Sequence, residues 1–113
     1  MFSWARLAAG RFPELKFMFH VPNGGSRNKI EAANLKRQGV KAGVPDICLP
    51  VSRNGYHGLW IELKVGKNRP TEHQDEYISF LSAQGYDVAV CYGMEDAAKK
   101  IVEYLGGSVD ADM

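Results

Sequence analysis

Two apolar runs meet across an Asn-Gly pair, and this arrangement constrains the fold more than any other part of the chain. Residues 45–51 (Pro-Asp-Ile-Cys-Leu-Pro-Val) and 58–65 (Gly-Leu-Trp-Ile-Glu-Leu-Lys-Val) each have the length of one strand, with Asn54-Gly55 between them. Asn-Gly between apolar segments is a strong short-range hairpin signal. Side chains alternate faces along a strand. Asp46 and Cys48 therefore share one face of the first run, and Ile47, Leu49 and Val51 the other. In the second run Trp60, Glu62 and Lys64 share one face, and Leu59, Ile61 and Leu63 the other.

Register decides whether the two acids meet. A two-residue loop pairs 53 with 56 and leaves Asp46 opposite Leu63, with Glu62 on the wrong side. A three-residue loop, Arg53-Asn54-Gly55 with Gly55 left-handed, pairs 52 with 56. Asp46 then faces Glu62, with Cβ atoms about 5 Å apart. Any odd-length loop with that centre gives the same pairing, and a one-residue slip undoes it. The expectation is thus an odd-length loop.

Two facing carboxylates in a half-buried sheet repel, and without a cation one of them is pushed toward protonation. Hard oxygen donors at this density suit Mg²⁺ or Mn²⁺. Lys64 follows Glu62 by two residues on the same face. Its ammonium can orient a water or stabilise charge on a phosphoryl transition state. A lone Glu-x-Lys is ordinarily a surface ion pair. Here Pro45-Asp46 at hairpin spacing and a basic surrounding sequence favour a metal-dependent nuclease site.

That surrounding is uneven in charge. Residues 1–69 carry net +8 and residues 70–113 net −7, hidden within an overall +1. A polyanion bound on one side explains the split; solvated helices of opposite sign are the plainer alternative. Cys48 and Cys91 both fall in apolar runs and read as core residues rather than a disulfide, which favours a reducing, cytoplasmic compartment. Two Cys and three scattered His do not make a zinc site. No apolar stretch reaches the ~20 residues of a membrane span, and the first residues lack the features of a signal peptide.

At 113 residues the chain fits one domain, expected over 1–107 with a disordered tail at 108–113. A short helix is expected at Phe2–Ala9 and a strand at Leu15–Val21. A helix follows from Asn28 to about Gln38, then the hairpin strands Pro45–Val51 and Gly58–Val65. A helix from Thr71 to about Ala83, a strand at Asp87–Tyr92 and a last helix to about Leu105 complete the chain. The fourth strand arrives through a helical crossover and should lie parallel to a neighbour. The fold class is α/β, a mixed four-stranded sheet flanked by helices.

Several strings together resemble the PD-(D/E)xK nuclease superfamily, and more closely its virus-type replication-repair nuclease (VRR-NUC) family. They are His20-Val21-Pro22-Asn23-Gly24-Gly25, residues 35–46 ending in Gly43-Val44-Pro45-Asp46, Gly58-Leu59-Trp60-Ile61-Glu62-Leu63-Lys64, and Gln74. The resemblance implies a restriction-endonuclease-like core and Mg²⁺- or Mn²⁺-dependent hydrolysis of DNA phosphodiesters. It implies that Asp46, Glu62 and the Leu63 main-chain carbonyl ligate metal, and that Lys64 assists the chemistry. Gln74 would lie near the lysine and the scissile phosphate, although its spacing from Thr71 also fits a capping box. Small stand-alone members of the family look like homodimers acting on branched DNA such as Holliday junctions. One departure is visible: the family's usual acid on a helix before the first strand has no counterpart in Phe2–Ala9.

DNA-contact candidates are Lys36, Arg37, Lys41, Lys67 and Arg69, which flank the site in sequence, and Asn23, Gly24 and Arg27 in or beside the glycine loop. His20 could reach the site or serve packing alone. The missing acid keeps a second possibility open, a catalytically weak DNA-binding module or nuclease subunit. A third is an α/β interaction domain whose acids and lysine are structural.

Overall fold

The computed structural model describes residues 2–22 and 29–107. The expected Asn28 cap and the 108–113 tail lie outside them. The elements in chain order are α1 (Phe2–Ala8), a 3₁₀ helix (Pro13–Phe17), β1 (Phe19–His20), α2 (Lys29–Arg37), β2 (Ile47–Leu49), β3 (Leu59–Lys64), α3 (Glu72–Ala83), β4 (Asp87–Tyr92) and α4 (Met94–Tyr104). The four strands form one sheet in the order β1-β2-β3-β4. The pairs β1–β2 and β2–β3 are antiparallel, and β3–β4 is parallel. The mixed sheet expected from the alternation of elements is therefore present.

The aliphatic stripe of the hairpin builds the core. Ile47, Leu49, Leu59 and Ile61 are all but inaccessible and pack with Ala97, Ile101 and Val102 of α4. Ala5, Phe12, Leu15 and Met18 close the same core from the N-terminal segment. Burial of a branched aliphatic side chain contributes about 1.5–3 kcal/mol relative to exposure. Ile61 sits at 0% exposure on the strand that also carries Glu62 and Lys64. Ile61→Ala is expected to cost about 2–5 kcal/mol, read from the midpoint of urea unfolding.

Two expectations need correction. The segment expected as a strand over Leu15–Val21 starts as the end of a 3₁₀ helix, Pro13–Phe17, and only Phe19 and His20 pair with β2. Pro13 at the start of the turn fixes φ there. Leu15 and Met18, three apart, both reach the core while Phe17 remains 66% exposed. That three-residue period belongs to a 3₁₀ turn, in which i and i+3 eclipse.

The hairpin loop is the second correction. Arg53 and Tyr56 exchange both main-chain hydrogen bonds, so the turn has two central residues, Asn54 (φ 53°) and Gly55 (φ 85°). Left-handed backbone at both positions marks a type I′ turn. The strands nevertheless pair Ile47 with Ile61, Cys48 with Trp60 and Leu49 with Leu59. This is the register expected of an odd-length loop. The extra residue lies at Pro50-Val51-Ser52, where the Val51 N–H folds back to the Leu49 carbonyl at 2.9 Å. Proline cannot donate to a ladder, so the pairing stops there and resumes one residue out of step.

Candidate active site

The sheet face opposite the core carries the polar residues. Continuing the β2–β3 register by one step sets Asp46 opposite Glu62, beside the row formed by Cys48 and Trp60. β2 begins at Ile47, and just before it the Asp46 carboxylate extends the ladder: Oδ2 accepts the Leu63 N–H at 2.8 Å. The Asp46 carbonyl accepts from Val21 N at 2.7 Å, so strands on both sides fix the residue. Pro45 just before it is fully buried.

Glu62 is 1% exposed, yet it carries a carboxyl group. Its Oε1 accepts from Gln74 Nε2 at 3.0 Å and lies 3.9 Å from Lys64 Nζ. Its Oε2 is buried, and no donor group among the described residues reaches it. Burial pushes the Glu62 pKa up to about 7; the Asp46 charge and a hydrogen bond to Asp46 add to the rise, and the Lys64 ammonium opposes it. As two acceptors, these carboxylates can share only a proton or a cation. The Trp60 indole N–H, on the same face, is likewise buried without a partner.

Gln74 performs both of the tasks open to it. Its main-chain N–H donates to Thr71 Oγ1 at 3.2 Å, and its Oε1 accepts the Thr71 N–H at 2.8 Å. That reciprocal pair is a capping box and begins α3. The other end of the same amide holds Glu62. The cap therefore orients the side chain that reaches the carboxylate.

The remaining candidates divide. Lys36, Arg37, Lys41, Lys67 and Arg69 are all exposed. Arg37 hydrogen-bonds Asn34 one turn back on α2. Lys67 and Arg69 occupy the turn between Lys64 and α3. Lys41 lies two residues from Gly43, whose backbone abuts the start of the same helix. Two of the basic segments thus converge on the N-terminus of α3. Asn23, Gly24 and Arg27 lie outside the described residues. His20 is exposed, pairs with Ile47 in the β1–β2 register, and sets its ring edge-on to Phe2 with centroids 6.5 Å apart; no contact joins it to the acid pair. Glu14 does not supply the missing acid, because it pairs with Arg53 at 2.5 Å near the hairpin turn. Among the described residues no group of three His, Cys, Asp or Glu could hold a metal ion.

Sequence reasoning assigned the tyrosines to the core or a dimer interface and gave Tyr92 no place at the site. The parallel register sets it beside Lys64, and it is 44% exposed on the face shared with Glu62. Only the β3–β4 offset reveals this, and no turn residue specifies the offset of two strands joined through a helix.

The VRR-NUC domain profile matches residues 7–95, most of the chain. The chain belongs to the VRR-NUC family. A solved structure described as a VRR_NUC domain protein is similar at 30% identity with a TM-score of 0.70, over 94% of this chain and 89% of that one. No curated protein matches. VRR-NUC domains are nuclease-type domains that act on DNA, and the acid pair described above lies within the matched span. Among the described residues no helix is long and apolar enough to cross a membrane.

Proposed function

We propose that this VRR-NUC domain is a Mg²⁺- or Mn²⁺-dependent endonuclease hydrolysing DNA phosphodiesters. The observation that carries the reading is the Glu62 carboxyl group, buried and coupled to the Asp46 carboxylate, with an Oε2 that no donor group among the described residues reaches. A buried anionic oxygen without a donor is costly unless a cation completes it. Asp46, Glu62 and the Leu63 main-chain carbonyl would hold that cation. So small a protein donor set suits an ion that keeps several waters and takes substrate phosphate as a further ligand. When bound, the ion would supply Lewis acidity toward the phosphoryl oxygen and acidify a water.

The chain's own groups do the rest. Gln74 fixes Glu62 through one oxygen and leaves the other available. Lys64, with its side chain 14% exposed beside Glu62, brings a positive charge to where the phosphoryl group gains negative charge. The exposed cations near the start of α3 bind neighbouring phosphates, so affinity falls steeply with salt. Contacts of this kind read backbone shape rather than base sequence, which supports selectivity for branched DNA such as a four-way junction. Two symmetric incisions in a junction require two sites, hence a C₂ homodimer.

A second reading, a catalytically weak DNA-binding module, is favoured by the lack of a third acid near the pair among the described residues. One assay separates them: cleavage of duplex, single-stranded, flap and four-way-junction DNA with Mg²⁺ and with Mn²⁺. Metal-dependent nicking with the junction as best substrate is expected. Salt-sensitive binding without nicking at any metal concentration would select the second reading.

A further inference from the structure

Gly43 carries a geometry that its place in a loop does not explain. Its φ is +89°, and a Cβ built on it would lie 2.5 Å from the His73 carbonyl oxygen, 2.6 Å from the His73 carbonyl carbon and 3.0 Å from the Gln74 nitrogen. These are main-chain atoms of the first turn of α3 and cannot rotate aside. The contact joins two parts of the candidate site. Gly43 precedes Asp46 by three residues, and Gln74 carries the amide that holds Glu62. Asp46 in turn accepts the Leu63 N–H, next to Glu62. The Asp46 lead-in, β3 and the start of α3 thus close a ring of contacts.

We propose that Gly43 is a positioning residue, resting on the nuclease reading above: its missing side chain lets α3 approach until Gln74 reaches Glu62. A side chain at 43 pushes the helix start away, and the Gln74–Glu62 hydrogen bond is lost first. Gly39 is an internal control. Its φ is +91°, but a Cβ there would meet nothing within 4 Å. Alanine at either position bears the same left-handed backbone cost. Only alanine at 43 also meets the helix.

The test compares Gly43→Ala with Gly39→Ala in the full chain. Gly43→Ala is expected to lower kcat about 10²-fold, as small misplacements of catalytic groups do, with KM nearly unchanged. Gly39→Ala should stay within about 3-fold of the parent by the same reasoning. In a Gln74→Ala background, Gly43→Ala should add little, because the two changes break one interaction. A readout independent of cleavage is the Gln74 side-chain amide in a ¹⁵N–¹H spectrum, which should lose its hydrogen-bonded shift in Gly43→Ala and keep it in Gly39→Ala. Should Gly43→Ala fail to fold, a glycine inserted between Gly43 and Val44 adds slack without a Cβ and should free the same amide. Equal kcat values for the two alanine variants, or an unmoved Gln74 amide signal, would overturn the positioning role. An inactive parent would instead sink the nuclease reading, and the amide signal would still decide the role of Gly43.

Discussion

Asp46→Ala should reduce metal-dependent cleavage to background, a loss of at least about 10³-fold, with the far-ultraviolet circular dichroism unchanged. The fold should persist because Asp46 lies just outside the paired part of β2, and the core rows from Ile47 to Leu49 do not depend on it. Lys64→Ala should lose about 10²–10³-fold, the size seen when one preorganised charge-stabilising donor is removed. Its effect should fall on kcat, because the ammonium sits at the carboxylates rather than among the outlying cations. Lys64→Arg should not restore the rate, since a planar guanidinium does not replace a compact ammonium in a side chain that is only 14% exposed. Nicking that survives both alanine changes under Mg²⁺ or Mn²⁺ would refute the proposed site.

The second large effect is on stability against pH. The Glu62 pKa is raised in the folded chain to about 7 from an ordinary 4.5, chiefly by burial and then by Asp46. Between these values the folded state holds a proton that the unfolded state has released. Stability therefore falls as pH rises through this window. The penalty is absent below about 4.5 and complete above about 7, and it reaches up to about 3 kcal/mol for the metal-free protein. Glu62→Gln removes it. In thermal melts without metal, the difference in Tm between Glu62→Gln and the parent should widen by several degrees from pH 4.5 to 7.5. Saturating Mg²⁺ or Mn²⁺ should raise the parent's Tm at pH 7.5 and leave Glu62→Gln little changed, because the cation takes the proton's place between the carboxylates. Parallel pH curves for the two proteins would show that Glu62 titrates normally.

Much of this site was legible because it depends on local pattern. Alternation in 45–51 and 58–65 separates the acids from the aliphatic stripe, and Asp46 can meet Glu62 in only one register. The observed Ile47–Ile61 pairing is that register. The turn was not legible. Asn54-Gly55 forms the two-residue loop its composition favours, and the compensating residue sits at Pro50-Val51-Ser52, inside the run read as one unbroken strand. The 3₁₀ helix at Pro13–Phe17 was hidden by an aromatic-rich composition that resembles a strand; only the burial of Leu15 and Met18 distinguishes the period. Gln74 offered one role from its spacing to Thr71 and another from the family resemblance, and a side-chain amide has two ends to fill both. The closeness of Gly43 to His73 and the place of Tyr92 beside Lys64 are tertiary facts, set by how α3 and β4 seat on the sheet. No local residue pattern encodes them.

The out-of-step residue at Pro50-Val51-Ser52 divides the hairpin into two mechanically separate parts. The outer part is tethered on its own: Arg53 to Glu14, and the Asn54 side-chain amide to the Tyr104 carbonyl. The inner part takes its alignment from the buried rows. Where the ladder lapses between them, a residue gained or lost is taken up before it reaches the carboxylates. Descendants of this chain are thus free to lengthen, shorten or redecorate the hairpin tip, making it a place where new contacts can evolve while the reaction centre stays in alignment.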